Sequence, residues 1–94
     1  MEFLVQIEIA PLPEQRRDEL LAAEAARGRE LRDAGTILRI WRIPGRTANA
    51  GIWSAPDATA LHDALTSLPL FAWMSVQVTP LAVHPLEAGD ADDQ

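Results

Sequence analysis

Proton chemistry has few carriers in this chain. Its 94 residues include no cysteine, no lysine and no tyrosine. Disulfides, thiolate metal sites and cysteine nucleophiles are therefore excluded. Acid–base work falls to the carboxylates and to His62 and His84. Among the carboxylates Glu24 stands apart. In a helix advancing about 100° per residue, Leu20, Leu21, Gly28 and Leu31 cluster on one side, and Glu24 falls near the middle of that stripe with Arg17 and Arg27 close by. Two readings are open for it. Glu24 is either a salt-bridged carboxylate at the edge of a helix made amphipathic mainly by alanines, or a carboxylate held in an apolar cleft. In the cleft, desolvation raises its pKa and suits it to take a proton from a carbon next to a carbonyl.

Arginine is the second resource. Six of the eight arginines (Arg27, Arg29, Arg32, Arg39, Arg42, Arg46) lie in residues 27–46, against only Glu30 and Asp33. Guanidinium is the usual partner of a carboxylate, and a strand seldom buries one unpaired. Alternation puts Arg39 and Trp41 on the same face of a strand without saying which face that is. Trp41, Trp53 and Trp73 are many tryptophans for so few aromatics. They either pack the core or a subunit interface, or line a pocket for a flat ring. His62 lies about 60° from the centre of the leucine stripe of a second helix, at the boundary of its apolar face, and reads either as a boundary residue or as a catalyst. No phosphate-binding glycine loop, no Ser/His/Asp signature, no metal-ligand spacing and no cofactor motif is present.

The elements that must position these residues follow from periodicity and punctuation. Phe3, Val5, Ile7 and Ile9 alternate with Glu2, Gln6 and Glu8, a half-buried strand stopped by Pro11 and Pro13. Residues 14–34 are rich in Ala, Leu, Glu and Arg, acidic early and basic late, and predict a helix stopped by Gly35. Residues 36–43 and 48–54 predict a hairpin around Pro44-Gly45-Arg46-Thr47. Ser54-Ala55-Pro56-Asp57 predicts a helix start with Ser54 as cap, and Ala58, Leu61, Leu65 and Leu68 form one face of the helix that runs to about Thr66. Residues 74–83 predict a last strand, which Pro80 marks as an edge or a bulge. The order is βαββαβ, a ferredoxin-like α+β fold with an antiparallel sheet and both helices on one face. One domain spans residues 1–85, and residues 86–94 form an acidic, solvated tail with Glu87, Asp90, Asp92 and Asp93.

Size and charge narrow the class. A single domain of this length has a thin core, and without disulfides or metals its remaining support is self-association, for which the open sheet face is available. The net charge of −6 argues against nucleic acid as a partner. No apolar run approaches the ~20 residues of a membrane span. The N-terminus lacks the pattern of a signal peptide, so a cytoplasmic protein is the default.

Beyond these features, three stretches carry a resemblance. Trp41-Arg42-Ile43-Pro44-Gly45 with Ala48-Asn49, then Leu61-His62-Asp63-Ala64-Leu65 with Leu68-Pro69-Leu70-Phe71-Ala72-Trp73-Met74, then Val78-Thr79-Pro80-Leu81 with His84-Pro85, resemble in order the signature segments of muconolactone isomerases. The match covers nearly the whole chain. It implies a ferredoxin-like fold of the dimeric α/β-barrel type, sheet faces packed together in a dimer, and larger rings of those dimers, decamers being typical. It implies a cofactor-free shift of a double bond in a carboxymethyl butenolide, giving 3-oxoadipate enol-lactone through a dienolate. The family's helix carboxylate falls on Glu24. The chain departs from the family at Ala25 for a lysine, Thr47 and Ala50 for tyrosines and Arg39 for a histidine, so the pocket around the base is rebuilt.

The expectation is therefore an enzyme. Glu24 serves as general base and then acid on a small lactone or related carbon acid. Arg39 binds or polarises an anionic oxygen, while Trp41, Thr47, Asn49, Trp53 and His62 contact or shape the substrate site. No cofactor and no metal are expected. The alternatives are a ligand-binding or structural member of the same fold, or a cyclase or oxygenase acting on another aromatic or polyketide-like molecule.

Overall fold

A computed structural model describes residues 1–88 of the chain. The first strand, β1 (Glu2–Ile9), obeys its alternation: Phe3, Val5 and Ile7 are buried, whereas Glu2, Gln6 and Glu8 are exposed. A single turn of 3₁₀ helix (Glu14–Arg16) then leads into α1 (Arg17–Asp33). The helix starts later than the predicted residue 14 because the segment leaving Pro11 and Pro13 tightens first into that turn. It stops at Gly35, whose φ of +80° is open to glycine at little cost. Strands β2 (Ile37–Arg42) and β3 (Ala48–Ser54) form the predicted hairpin.

The helix α2 (Ala58–Thr66) corrects one expectation. Its cap is Asp57, whose side chain accepts from the Ala60 N–H at 2.8 Å, and not Ser54. Ser54 still belongs to the sheet and donates its N–H to the Thr36 carbonyl at 2.7 Å. Pro56 explains the shift, because the residue before a proline is pushed out of helical geometry and Ala55 cannot open the helix. After α2, a 3₁₀ turn (Phe71–Trp73) holds Trp73 just ahead of β4 (Met74–Leu81). Pro80 lies within β4, which is an edge strand as its proline requires. A single helical turn, α3 (Pro85–Ala88), follows β4, and His84 Nδ1 accepts the Leu86 N–H at 3.0 Å there. The remaining tail, with Asp90, Asp92 and Asp93, lies outside the described residues.

The sheet runs in the order β2-β3-β1-β4, antiparallel throughout. The core sits on one face of it. Phe3, Val5, Ile7, Ile37 and Trp53 from the strands meet Leu31 of α1 and Leu61 and Leu65 of α2. Among the described residues no helix is long and apolar enough to cross a membrane.

One irregularity decides which strand residues face the helices. The β2–β3 register slips between Ile37 and Arg39, so Ile37 pairs with Trp53, Ile40 with Gly51 and Arg42 with Asn49. The extra residue of this bulge inverts the alternation beyond it. Ile37, Ile40 and Arg42 share the helix side, and Arg39 and Trp41 turn to the opposite side. Gly51 accommodates the bulge. A Cβ there would stand 2.7 Å from the Arg39 carbonyl oxygen and 3.4 Å from Trp53 Nε1. Gly51→Ala is expected to destabilise the fold by about 1–3 kcal/mol, since the atom in the way is backbone and β2 must move. Urea denaturation at fixed protein concentration measures this, and an unchanged midpoint would remove the steric argument.

Candidate active site

Two four-residue stripes cross on α1. Leu20, Glu24, Arg27 and Leu31 form one, and Arg17, Leu21, Glu24 and Gly28 the other, with Glu24 common to both. Leu20 and Leu31 are buried, so the first stripe is the packed flank and draws Glu24 halfway into the protein. There Glu24 Oε1 accepts the backbone N–H of Leu70 at 3.0 Å. That N–H is available because Leu70 opens the 3₁₀ turn before β4 and has no helical partner of its own. No other hydrogen bond reaches the carboxylate among the described residues, and Glu24 enters no ion pair there. Arg27, the neighbour expected to neutralise it, instead donates from Nε to Ser67 Oγ at 3.0 Å and lies 3.8 Å from Glu30. The salt-bridged reading of Glu24 is thereby set aside.

Electrostatics follow from that position. Burial pushes the Glu24 carboxyl above the usual carboxylate range, and the Leu70 N–H draws it partly back. Beside the carboxylate, one turn on, Gly28 is only half-exposed, yet a Cβ there would meet nothing within 4 Å. Room therefore flanks Glu24 on the stripe away from the packed core.

Towards the N-terminal end of α1 the same stripe meets a hollow of about 550 Å³. Arg17, Ile9, Trp41, Arg42, Arg46, Thr47 and Asn49 are among its walls. A smaller hollow of about 230 Å³ adjoins it, sharing Ile9, Arg17 and Thr47 and reaching Leu21. Glu24 stands one turn further along α1 from Leu21 and lines neither hollow. Among the described residues no carboxylate lines either hollow. Arg46 is held to Glu8 at 2.9 Å, whereas Arg17 and Arg42 enter no ion pair among the described residues.

The helix-side row of β3 is Asn49, Gly51 and Trp53. Asn49 Oδ1 and Trp53 Nε1 are buried with no hydrogen-bond partner among the described residues. Such atoms are costly to leave unpaired, about 1–3 kcal/mol each, and in native proteins they concentrate where function needs them.

The predicted site residues are thus divided. Glu24, Thr47, Asn49 and Trp53 belong to the helix side of the sheet, although Trp53 is sealed in the core at 1% exposure. Arg39 lies on the opposite face, exposed, its guanidinium stacked 4.9 Å from the centre of the Trp41 ring. Trp41 pairs in that outer row but, being on an edge strand, also reaches the rim of the larger hollow. His62 is exposed on α2, next to the buried Leu61, and joins neither hollow. Arg17 and Arg42 are the residues that the pattern did not select. For Arg42 the signal was the pair of isoleucines at 37 and 40, an odd spacing that fits a bulge better than a regular strand; for Arg17 it was its place beside Glu24 on the helix stripe. Among the described residues no group of three or more His, Asp or Glu side chains is arranged to hold a metal ion.

Comparison with known proteins gives a consistent set. The family model described as muconolactone delta-isomerase matches residues 1–87. The muconolactone Delta-isomerase 1 of Acinetobacter lwoffii is 39% identical over 79 residues, covering 84% of this chain and 82% of that protein. The muconolactone Delta-isomerase of Rhodococcus opacus is 38% identical over 85 residues, covering 87% and 91%. The crystal structure of a muconolactone isomerase superposes with a TM-score of 0.82 at 35% identity, covering 90% of this chain and 92% of that one. A 5-chloro-2-hydroxyhydroquinone dehydrochlorinase from Burkholderia phenoliruptrix superposes with a TM-score of 0.71 over 92% of this chain, but at 18% identity the likeness is one of fold alone.

Proposed function

The chain belongs to the muconolactone delta-isomerase family and is an isomerase, and from that premise we propose that it moves the ring double bond of muconolactone with Glu24 as the only proton carrier. The carboxylate takes the proton from the ring carbon beside the ring oxygen. The charge spreads into a dienolate reaching the carbonyl oxygen. The same carboxyl then returns a proton to the carbon beside the carbonyl, giving the enol-lactone. One proton leaves, one arrives, and no electron is gained or lost, so the step calls for no cofactor.

A single observation carries this reading: Glu24 is half-buried, unpaired, and held through one oxygen by one backbone N–H. Its carboxylate is thereby oriented without being neutralised. Its raised pKa makes it a stronger base than an exposed glutamate. Self-association over the open sheet face belongs to the same reading. Leu4, Ala50, Ile52 and Leu81 stand on that face with the Arg39–Trp41 stack.

The direct test follows muconolactone in the ultraviolet with the assembled protein, beside Glu24→Gln. Turnover is expected, and its absence from a folded oligomer overturns the reading. A base must be unprotonated to act, so kcat/KM should rise with pH through the raised pKa of Glu24 and level off above it. A rate profile over roughly pH 4–9 reads this limb. A flat profile at low pH would assign the proton transfer to another group.

A further inference from the structure

We propose, building on that assignment of Glu24, that Arg17 and Arg42 form an anion site that holds a carboxylate of the ligand at the mouth of the cleft. The two guanidinium groups come from different elements, the first turn of α1 and the end of β2, and line the same hollow. Arg42 reaches the helix side only because the bulge between Ile37 and Arg39 inverts the strand. Arg46, the third cation in the wall, is matched by Glu8 at 2.9 Å, but Arg17 and Arg42 have no carboxylate opposite them among the described residues. In a chain of net charge −6, an uncompensated pair of arginines around a concavity is a local reversal of sign. Guanidinium forks hold carboxylates by paired, charge-assisted hydrogen bonds.

Spacing gives the ligand its shape. Arg17 and Glu24 are seven residues apart on one face of α1, which is roughly 10 Å along the axis. An anchor at one end of that interval and a base at the other suit a small acid whose reactive carbon lies a few bonds from its carboxylate. A neutral lactone of the same size would leave both arginines without a partner. The site therefore selects carboxylate-bearing carbon acids.

The experiment uses the full chain and a non-reacting keto acid, 4-oxopentanoate, with its methyl ester as the uncharged control. Binding is read by tryptophan fluorescence, since Trp41 stands at the rim of the hollow. The acid is expected to bind more tightly than the ester, and Arg17→Gln and Arg42→Gln each to weaken the acid about ten- to a hundred-fold without changing the ester. Both arginines are exposed, so the variants should keep the wild-type melting temperature. Equal binding of acid and ester, no saturable binding of the acid, or variants that bind the acid as wild type does would each overturn the proposal. Glu24→Gln separates the two assignments, because it should retain arginine-dependent binding of the acid. Arginine-dependent binding without turnover of muconolactone would keep the anion site and remove the isomerisation reading.

Discussion

Glu24→Gln should lower kcat for muconolactone by about 10²–10⁴-fold, the usual contribution of a positioned general base, while the protein keeps its fold. The substitution is close to isosteric. A glutamine carbonyl oxygen can still accept the Leu70 N–H that Glu24 Oε1 accepts at 3.0 Å, so the turn before β4 keeps its anchor. What disappears is the capacity to take a proton. The same variant carries a second, independent signature in stability. Burial raises the Glu24 pKa in the folded chain above its unfolded value, so folding favours the neutral form. The stabilisation linked to that proton is fully present below the unfolded pKa of about 4.3 and is lost as pH rises through the raised folded value. Glutamine imitates the neutral form at every pH. Glu24→Gln should therefore melt higher than wild type at neutral pH, with the difference vanishing near pH 4. Melting curves at the two pH values check this. A variant less stable than wild type at neutral pH would mean that the ionised carboxylate is structurally required.

Trp53→Ala should cost about 3–5 kcal/mol, the usual loss for removing a fully buried large aromatic side chain. A domain of this length has a total stability of about 5–14 kcal/mol, so the variant would give up a large part of it. The side chain is 1% exposed and packs on Phe3, its partner across β1–β3, within the cluster that joins both helices to the sheet. Trp53→Phe should behave differently. It keeps an aromatic ring in the core and removes an indole N–H that has no partner. Loss of volume and removal of an unsatisfied donor then oppose each other, and the net change should stay within about 1 kcal/mol. Urea denaturation of the three proteins at one concentration separates the cases, because association contributes to apparent stability. If phenylalanine costs as much as alanine, the indole N–H has a partner in solution, and the helix-side row of β3 acquires a polar role.

Much of the architecture was legible in the chain because it depends on short-range rules. The alternation of Phe3, Val5 and Ile7 against Glu2, Gln6 and Glu8 needs only the two-residue period of a strand. Gly35 ends α1 where the chain needs a left-handed residue, and Pro80 restricts β4 to an edge. Glu24 was conspicuous for a similar reason, as a charge in the middle of a leucine stripe. Where a rule had two local solutions, the prediction failed. Ser54 and Asp57 are both good caps, and the choice fell to Asp57 because Pro56 holds Ala55 extended and the sheet retains the Ser54 N–H.

The sequence by itself determined the order of the elements, the apolar faces they bury and the presence of one carboxylate in an apolar stripe. All of these are set by periods of two and 3.6 residues and by the backbone limits of proline and glycine. Only the tertiary structure decided what that carboxylate meets. Leu70 is 46 residues from Glu24, and its N–H arrives only when the turn before β4 docks against α1. The structure also chose which arginine faces the cleft. One extra residue in β2, accommodated by the missing side chain of Gly51, turns Arg39 outward to stack on Trp41 and brings Arg42 to the side of Arg17. A strand's period cannot reveal where it slips, because the slip is set by pairing with a neighbouring strand.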